Sequence, residues 1–266
     1  MSLLFDADAE RVDHGSGASI DDLPAGGACT ILVWLNRNAA GGNQHVLTMD
    51  GTVFATRAGV VFLTDNSGGS EGQARALVRR VGGTDTDYVT STVVAPLDAW
   101  AFLAMVFDDG GGAGEIINVY YGSLTALAVE AAYGTATDGS GTITADAANA
   151  KWVGNLERAS GNEFKGRIAR LGYYNAALTL AQIQRLQFAP VSWWNLSSCK
   201  LLADYYSTAY VHDLTGNGNT GTVSGATTAD HVPLGPPLGQ AVYSPWTLGG
   251  WGRLLSPHRN RLVRAA

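Results

Sequence analysis

Short runs rich in apolar and β-branched residues recur along this chain, with Gly, Asn and Asp clustered between them. That is the pattern of an all-β sandwich. The runs are Thr30 to Leu35, His45 to Met49, Thr52 to Thr56, Val60 to Thr64, Arg75 to Val81, Tyr88 to Val93, Ala101 to Phe107, Ile116 to Tyr121, Ala126 to Ala132, Lys151 to Gly154 and Gly166 to Tyr174. In the last run Ala169, Leu171 and Tyr173 alternate with Arg170, Gly172 and Tyr174, which predicts a strand wet on one face. One segment has a different period. Over Leu178 to Phe188 the residues Leu180, Ile183 and Leu186 form an apolar stripe; Thr179 and Gln182 make a capping box, and Pro190 follows, which predicts one short helix.

The composition agrees with this pattern: 34 glycines and 15% charged residues in 266 positions suit many short strands joined by tight turns, in a chain long enough for a large core. The net charge of −6 is unevenly spread. Past Asp230 there is no acid, yet Arg253, Arg259, Arg261 and Arg264 lie there with Trp246 and Trp251 and five of the eight prolines, so the first 230 residues carry −10. Such a segment cannot form core strands, and 226–266 reads as an extended basic arm whose tryptophans and arginines bind a partner subunit or shell protein. The two cysteines, Cys29 and Cys199, are too few for a disulfide scaffold. No secretory leader and no run of about 18 apolar residues is visible, so synthesis in a cytosol without membrane insertion is expected, and the sequon at Asn195 carries no glycosylation meaning.

Several motifs together resemble the laminin-G-like, concanavalin A-like jelly-roll family: Leu4 to Asp13, Trp100 to Asp108, Ile117 to Gly122, Val153 to Asn155, and Phe164 to Thr179. A turn at Asp213 to Gly225, containing Gly216-Asn217-Gly218-Asn219, resembles the family's "D-x-S-G-N-G-N-x-G-T", which ordinarily precedes the N-terminal strand and here follows the whole domain. The resemblance implies a two-sheet jelly-roll sandwich over 1–190 with one short helix, a displaced, permuted or strand-exchanged element over 191–225, and then the arm. Ala169 and Ala101-Phe102 depart from the family's acid and His, so polar roles are not carried to them.

Candidate chemistry is sparse. No E-x-D-x-x-E carboxylate pair is present, and Asp6, Asp8 and Glu10 read as one solvated strand face, so glycan cleavage is disfavoured. Gly216-x-Gly218-x-x-Gly221 satisfies the dinucleotide fingerprint in letters, but β-branched residues follow where a helix should start. It reads as a turn with Asn217 and Asn219 in left-handed conformations. Gly110 to Gly114 lacks the Lys of a phosphate loop and reads as a mobile hairpin, and the five histidines lack zinc spacing. Some relatives in the resembled family hold calcium, for which Asp213, Asn217 and Asn219 would supply oxygens; no other cofactor is expected. Sugar binding would draw on Tyr88, Tyr133 or loop residues, since Trp34, Trp100 and Trp152 sit at strand positions that suit a core.

The segment Gly221 to Gly235 resembles stretches of laminin-G-like proteins from tailed bacteriophage virions. The expectation is a non-enzymatic virion surface protein, a head decoration, fibre or tail component, made in the host cytoplasm, oligomeric and bound to other virion proteins, with no nucleic acid partner. The alternative is a lectin recognising host surface polysaccharide.

Overall fold

The computed structural model describes residues 1–7, 9–49, 58–65, 71–147, 149–155 and 163–233. The run at Thr52 to Thr56 and the arm residues Trp246, Trp251, Arg253, Arg259, Arg261 and Arg264 lie outside them.

The described residues form two large antiparallel sheets packed face to face, the aligned-sandwich solution for strands apolar on one side. The first sheet contains β1 (Ser2–Phe5), β3 (Ala28–Arg37), β9 (Trp100–Asp108), β10 (Ile117–Ser123), β11 (Val129–Glu130), β15 (Gly166–Tyr174), β16 (Cys199–Asp204) and β19 (Thr227–Ala229). Its order is β11-β10-β9-β3-β15-β1-β19, with β16 also on β15. The second contains β2 (Arg11–Asp13), β4 (Gln44–Thr48), β5 (Val60–Asp65), β6 (Gln73–Val78), β8 (Thr86–Thr90), β12 (Tyr133–Thr137), β14 (Trp152–Val153), β17 (Tyr210–Val211) and β18 (Gly221–Ser224), in the order β12-β8-β6-β5-β4-β14-β2-β18-β17. A small pair joins β7 (Arg80–Val81) to β13 (Thr142–Ile143).

Between the sheets lies a core that includes Phe5, Val12, Ile31, Val33, Phe62, Tyr88, Met105, Phe107, Leu171 and Tyr173. The outer face of the first sheet is also apolar. It is covered by α1 (Leu180–Gln187) and α2 (Val191–Trp194), which seal Trp34, Phe102, Tyr174 and Trp194. The indole N–H of Trp34 donates to Gln187 O at 2.9 Å and that of Trp194 to Leu186 O at 2.7 Å, so neither buried donor is left unpaired. Helix α1 starts with the capping box read from the sequence: Thr179 Oγ1 accepts from Gln182 N–H, and Gln182 Oε1 accepts from Thr179 N–H.

The expectation of a wet face on β15 is overturned. Leu171 and Tyr173 face the inter-sheet core and Tyr174 the other side, as the alternation has it, but that other side is covered by α1 and α2. A bulge between Ile168 and Arg170 also moves Ala169 to the cluster under the helices and leaves Ile168 in the core. Arg170, 6% exposed, lies over the Trp194 ring at 5.2 Å and donates to Ala189 O at 3.1 Å. The same bulge divides the edge of β15 between β1, which pairs with Gly166 to Ile168, and β16, which pairs with Arg170 to Tyr174.

The N-terminal strands do not end the sheets. Thr222, Val223 and Ser224 of β18 stand opposite Asp13, Val12 and Arg11, while Thr227, Thr228 and Ala229 of β19 stand opposite Leu4, Leu3 and Ser2. Residues 227–229, expected in the arm, are thus an edge strand of the first sheet. Gly221 is needed for this closure, since a Cβ there would meet Val12 Cγ1 at 2.5 Å and His14 Cε1 at 2.8 Å.

Two loops are tied together by a buried charge cluster. Lys151 and the Asp146 side chain are 0% exposed; Lys151 Nζ donates to Asp146 Oδ1 at 3.1 Å, to Asn149 O at 3.0 Å and to Asp21. Asp22 N–H donates to Asp146 Oδ1 at 2.7 Å. Burial raises the pKa of the Asp146 carboxyl despite the opposing Lys151 ammonium.

Candidate functional site

With the inner face of the second sheet committed to the core and the outer face of the first capped by helices, the outer face of the second sheet is left to carry functional groups. It is buried in its middle, around Thr48, Val61 and Leu77, and half-buried or exposed toward its ends. Its cross-strand register defines a continuous row, because directly paired residues share a face. Tyr210 stands opposite Thr222, Thr222 opposite Asp13, Asp13 opposite Trp152, and Trp152 opposite Thr48. The row continues through Val61, Leu77 and Asp87 to Thr137. The middle is apolar, with Val61, Leu63 and Leu77 clustered together. Polar and aromatic side chains flank it.

On the β14–β2 side, the guanidinium of Arg11 lies over the Trp152 ring, 4.3 Å from its centroid. Arg11 donates through Nη1 to Ala9 O at 3.2 Å, while its Nε and the indole Nε1 of Trp152 are buried without a hydrogen-bond partner. Asp13 Oδ1 accepts from Gly15 N–H at 2.7 Å. This half of the row therefore combines a partly exposed tryptophan, an arginine stacked on one face of its ring and a carboxylate within two strands. On the far side, Arg75 and Asp87 form a two-pronged ion pair at 2.9 and 2.7 Å, neutralising each other.

The sugar-binding residues expected from the sequence fall elsewhere. Tyr88 is fully buried in the inter-sheet core, and its hydroxyl donates to Asp138. Tyr133 packs edge-on against Tyr88 at 5.2 Å, accepts from Val119 N–H through its hydroxyl and donates to Glu130. Trp34 is core as expected. Trp152 is the residue that the sequence reading misplaced: β14 is two residues long, and only its neighbours decide which of Trp152 and Val153 faces inward.

The acids near the N-terminus are not a strand face. Strand β1 ends at Phe5 and β2 begins at Arg11; between them Glu10 Oε2 accepts from Asp6 N–H at 2.5 Å and Ala7 N–H at 2.9 Å, so this carboxylate closes a turn. Asp8 lies outside the described residues. The glycine-rich hairpin is also pinned, with Gly114 N–H donating to Asp138 Oδ2 at 2.8 Å.

Asp213, Asn217 and Asn219 do come together, around a capped turn. Asp213 Oδ1 accepts from Thr215 N–H at 3.0 Å and Thr215 Oγ1 at 2.7 Å, and Oδ2 accepts from Asn219 N–H at 3.0 Å and Nδ2 at 3.1 Å. The amide nitrogens of Asn217 and Asn219 both donate to Lys200 O. Leu202 N–H also donates to Asp213 Oδ1, at 3.3 Å; calcium requires six to eight oxygens offering lone pairs, and a carboxylate occupied by five donors does not fit it. Left-handed backbone is taken by Gly216 and Gly218, with φ of 83° and 86°, in place of the asparagines. Behind the turn His14 is buried, its Nδ1 bonded to Asn219 O at 2.8 Å and its Nε2 to Tyr205 Oη at 3.1 Å; burial lowers its pKa. No group of three or more His, Cys, Asp or Glu suited to a metal occurs among the described residues, and none of their helices is long and apolar enough to cross a membrane.

Comparison with known proteins gives the fold its place. No curated protein sequence matches the chain. Among solved structures, a candidate carbohydrate-binding protein of Bacteroides ovatus ATCC 8483 aligns with a TM-score of 0.58 at 13% identity, over 85% of this chain and 58% of that one. The chain thus spans less than two thirds of that protein. The CBM40 of Ruminococcus gnavus IT-sialidase, bound to α2,3-sialyllactose, aligns with a TM-score of 0.44 at 12% identity over 70% of this chain and 95% of its own. The heptameric SAP-like pentraxin of Limulus polyphemus aligns with a TM-score of 0.44 at 10% identity, over 69% and 79% of the two chains. The family model for the concanavalin A-like lectin/glucanases superfamily matches residues 12–184, from β2 into α1, which is more than half of the chain and includes most of both sheets; this protein belongs to that superfamily.

Proposed function

We propose that the protein is a non-catalytic carbohydrate-binding domain that takes glycans on the outer face of its second sheet, at Trp152, Arg11 and Asp13. The observation that carries this reading is the position of Trp152, which stands outside the core, partly exposed, beside the Arg11 guanidinium and the Asp13 carboxylate. A sugar offers apolar C–H faces to an aromatic surface and hydroxyls that both donate and accept, and this trio supplies partners for each. The fold likeness to a candidate carbohydrate-binding protein supports the same reading.

Catalysis is not part of the proposal. The row carries the carboxylates Asp13 and Asp87, separated by five strand spacings, roughly 24 Å at about 4.8 Å each. A glycosidase pair stands at about 5–10 Å. Virion placement rests on the sequence resemblance alone, and none of the relatives named above is a virion protein, so glycan recognition takes precedence over a virion structural role.

The test is a glycan array with the full chain, followed by calorimetry with the best ligand. Trp152→Ala, whose side chain is partly exposed, should stay folded and bind at least about tenfold more weakly. Absence of any array signal, or unchanged affinity in Trp152→Ala, would overturn the proposal.

A further inference from the structure

The glycan face does not stop where the family match stops. That match ends at residue 184, but the register carries the row onward through Thr222 of β18 to Tyr210 of β17, the last strand of the second sheet among the described residues. Tyr210 is 49% exposed and rests edge-on against His212, with ring centroids 4.6 Å apart. The platform under it is fixed. Val211 is buried in the inter-sheet core, Gly221 closes on Val12 and His14, and the Asp213 cap holds the connection between the two strands. An exposed aromatic on a rigid strand is pre-organised for binding, because little side-chain freedom is lost when a ligand covers it.

From Tyr210 to Trp152 there are three strand spacings, about 14 Å. Aromatic rings stand at the two ends and hydrogen-bonding groups between them: the Thr222 hydroxyl and the second oxygen of Asp13, with Arg11 alongside. One sugar ring cannot span that distance. We infer that β17 and β18 extend the binding face beyond the family's own segment, and that the ligand is an internal stretch of a linear polysaccharide running across the strands from Trp152 to Tyr210. This inference rests on the glycan reading of the Trp152 half.

The two can be separated by ligand length. The probe is the oligosaccharide ladder, from disaccharide to octasaccharide, cut from whichever polysaccharide gives the strongest array signal with the full chain. Affinity should rise with length until the ligand covers both rings and then level off. Tyr210→Ala should weaken binding of the longest oligosaccharide about tenfold while leaving the disaccharide unchanged, and Tyr210→Phe should retain the wild-type length dependence. Trp152→Ala should weaken both ligands. Affinity that depends on Trp152 but not on length, or a Tyr210→Ala protein equal to wild type on the octasaccharide, would overturn the extension while leaving the glycan site intact. If no polysaccharide binds at all, the glycan site and the extension both fall.

Discussion

Replacing Lys151 with Met should cause a large loss of stability, because the ammonium is fully buried and faces the buried carboxylate of Asp146 together with Asp21. Methionine keeps most of the length and none of the charge. The carboxylate of Asp146 would then remain in the interior with the Asp22 N–H but no cation, and its Oδ2 already lacks a partner. Breaking a buried pair by removing one member costs about 3–5 kcal/mol, far more than an exposed pair contributes. For a unit of this size that corresponds to a fall in melting temperature of about 6–20 °C. Chemical denaturation should show the midpoint moving at constant m-value, since the surface exposed on unfolding is the same. The loss should also depend on pH. Burial already places the Asp146 pKa above its ordinary value, and removing Lys151 pushes it higher. A carboxyl whose folded pKa exceeds its unfolded value gains stability by protonation as pH falls through the folded pKa. The difference between variant and wild type should therefore shrink on acidification, and Lys151→Met/Asp146→Asn should recover part of it at neutral pH. A loss below about 1 kcal/mol, or one that is the same at every pH, would refute the claim that an uncompensated buried carboxylate is the cause.

Other outcomes follow from the join between the chain ends. Acidification below about 6.5 should destabilise the wild type through His14, because burial lowers its folded pKa and the unfolded chain takes up the proton first; His14→Phe should flatten that part of a stability–pH profile measured by denaturation. Gly221→Ala should cost about 1–3 kcal/mol, through a Cβ forced against Val12 and His14, and hydrogen exchange should speed up across residues 221–224 more than across β9.

What could be read from the sequence was whatever neighbouring residues decide. Helix α1 was legible because its cap, stripe and stop lie within a dozen residues, and β3, β9 and β15 because long apolar runs admit few other structures. The facing of individual side chains was less so. Bulges at Ile168/Arg170 and His45/Leu47 shift the alternation by one residue, and no local signal marks either. Tyr88 and Trp152 show the consequence for function: each lies in a strand read correctly as a strand, yet the tyrosine expected to meet a ligand is in the core, and the tryptophan expected in the core is on the outer face. Periodicity gives two faces without saying which is wet. That depends on what the opposite sheet and the helices cover.

The least legible feature was also the one with the greatest consequence for the site. Strands β18 and β19 are short and exposed along much of their length, and neither has an apolar run to announce it. Their partners lie at the other end of the chain: Ser2 Oγ donates to Asp230 O across 228 positions, and Asn219 exchanges hydrogen bonds with Ser19 across 200. Such contacts close very long loops, so local propensity carries little information about them. The motif at Asp213 to Gly225 compensates by resembling a segment that ordinarily precedes the N-terminal strand. Ladder hydrogen bonds depend on which strands are adjacent and not on which peptide bonds connect them, so the segment can pair with β2 from either end of the chain. Placing it last makes β17 the last strand of the second sheet among the described residues, and that strand is where Tyr210 stands.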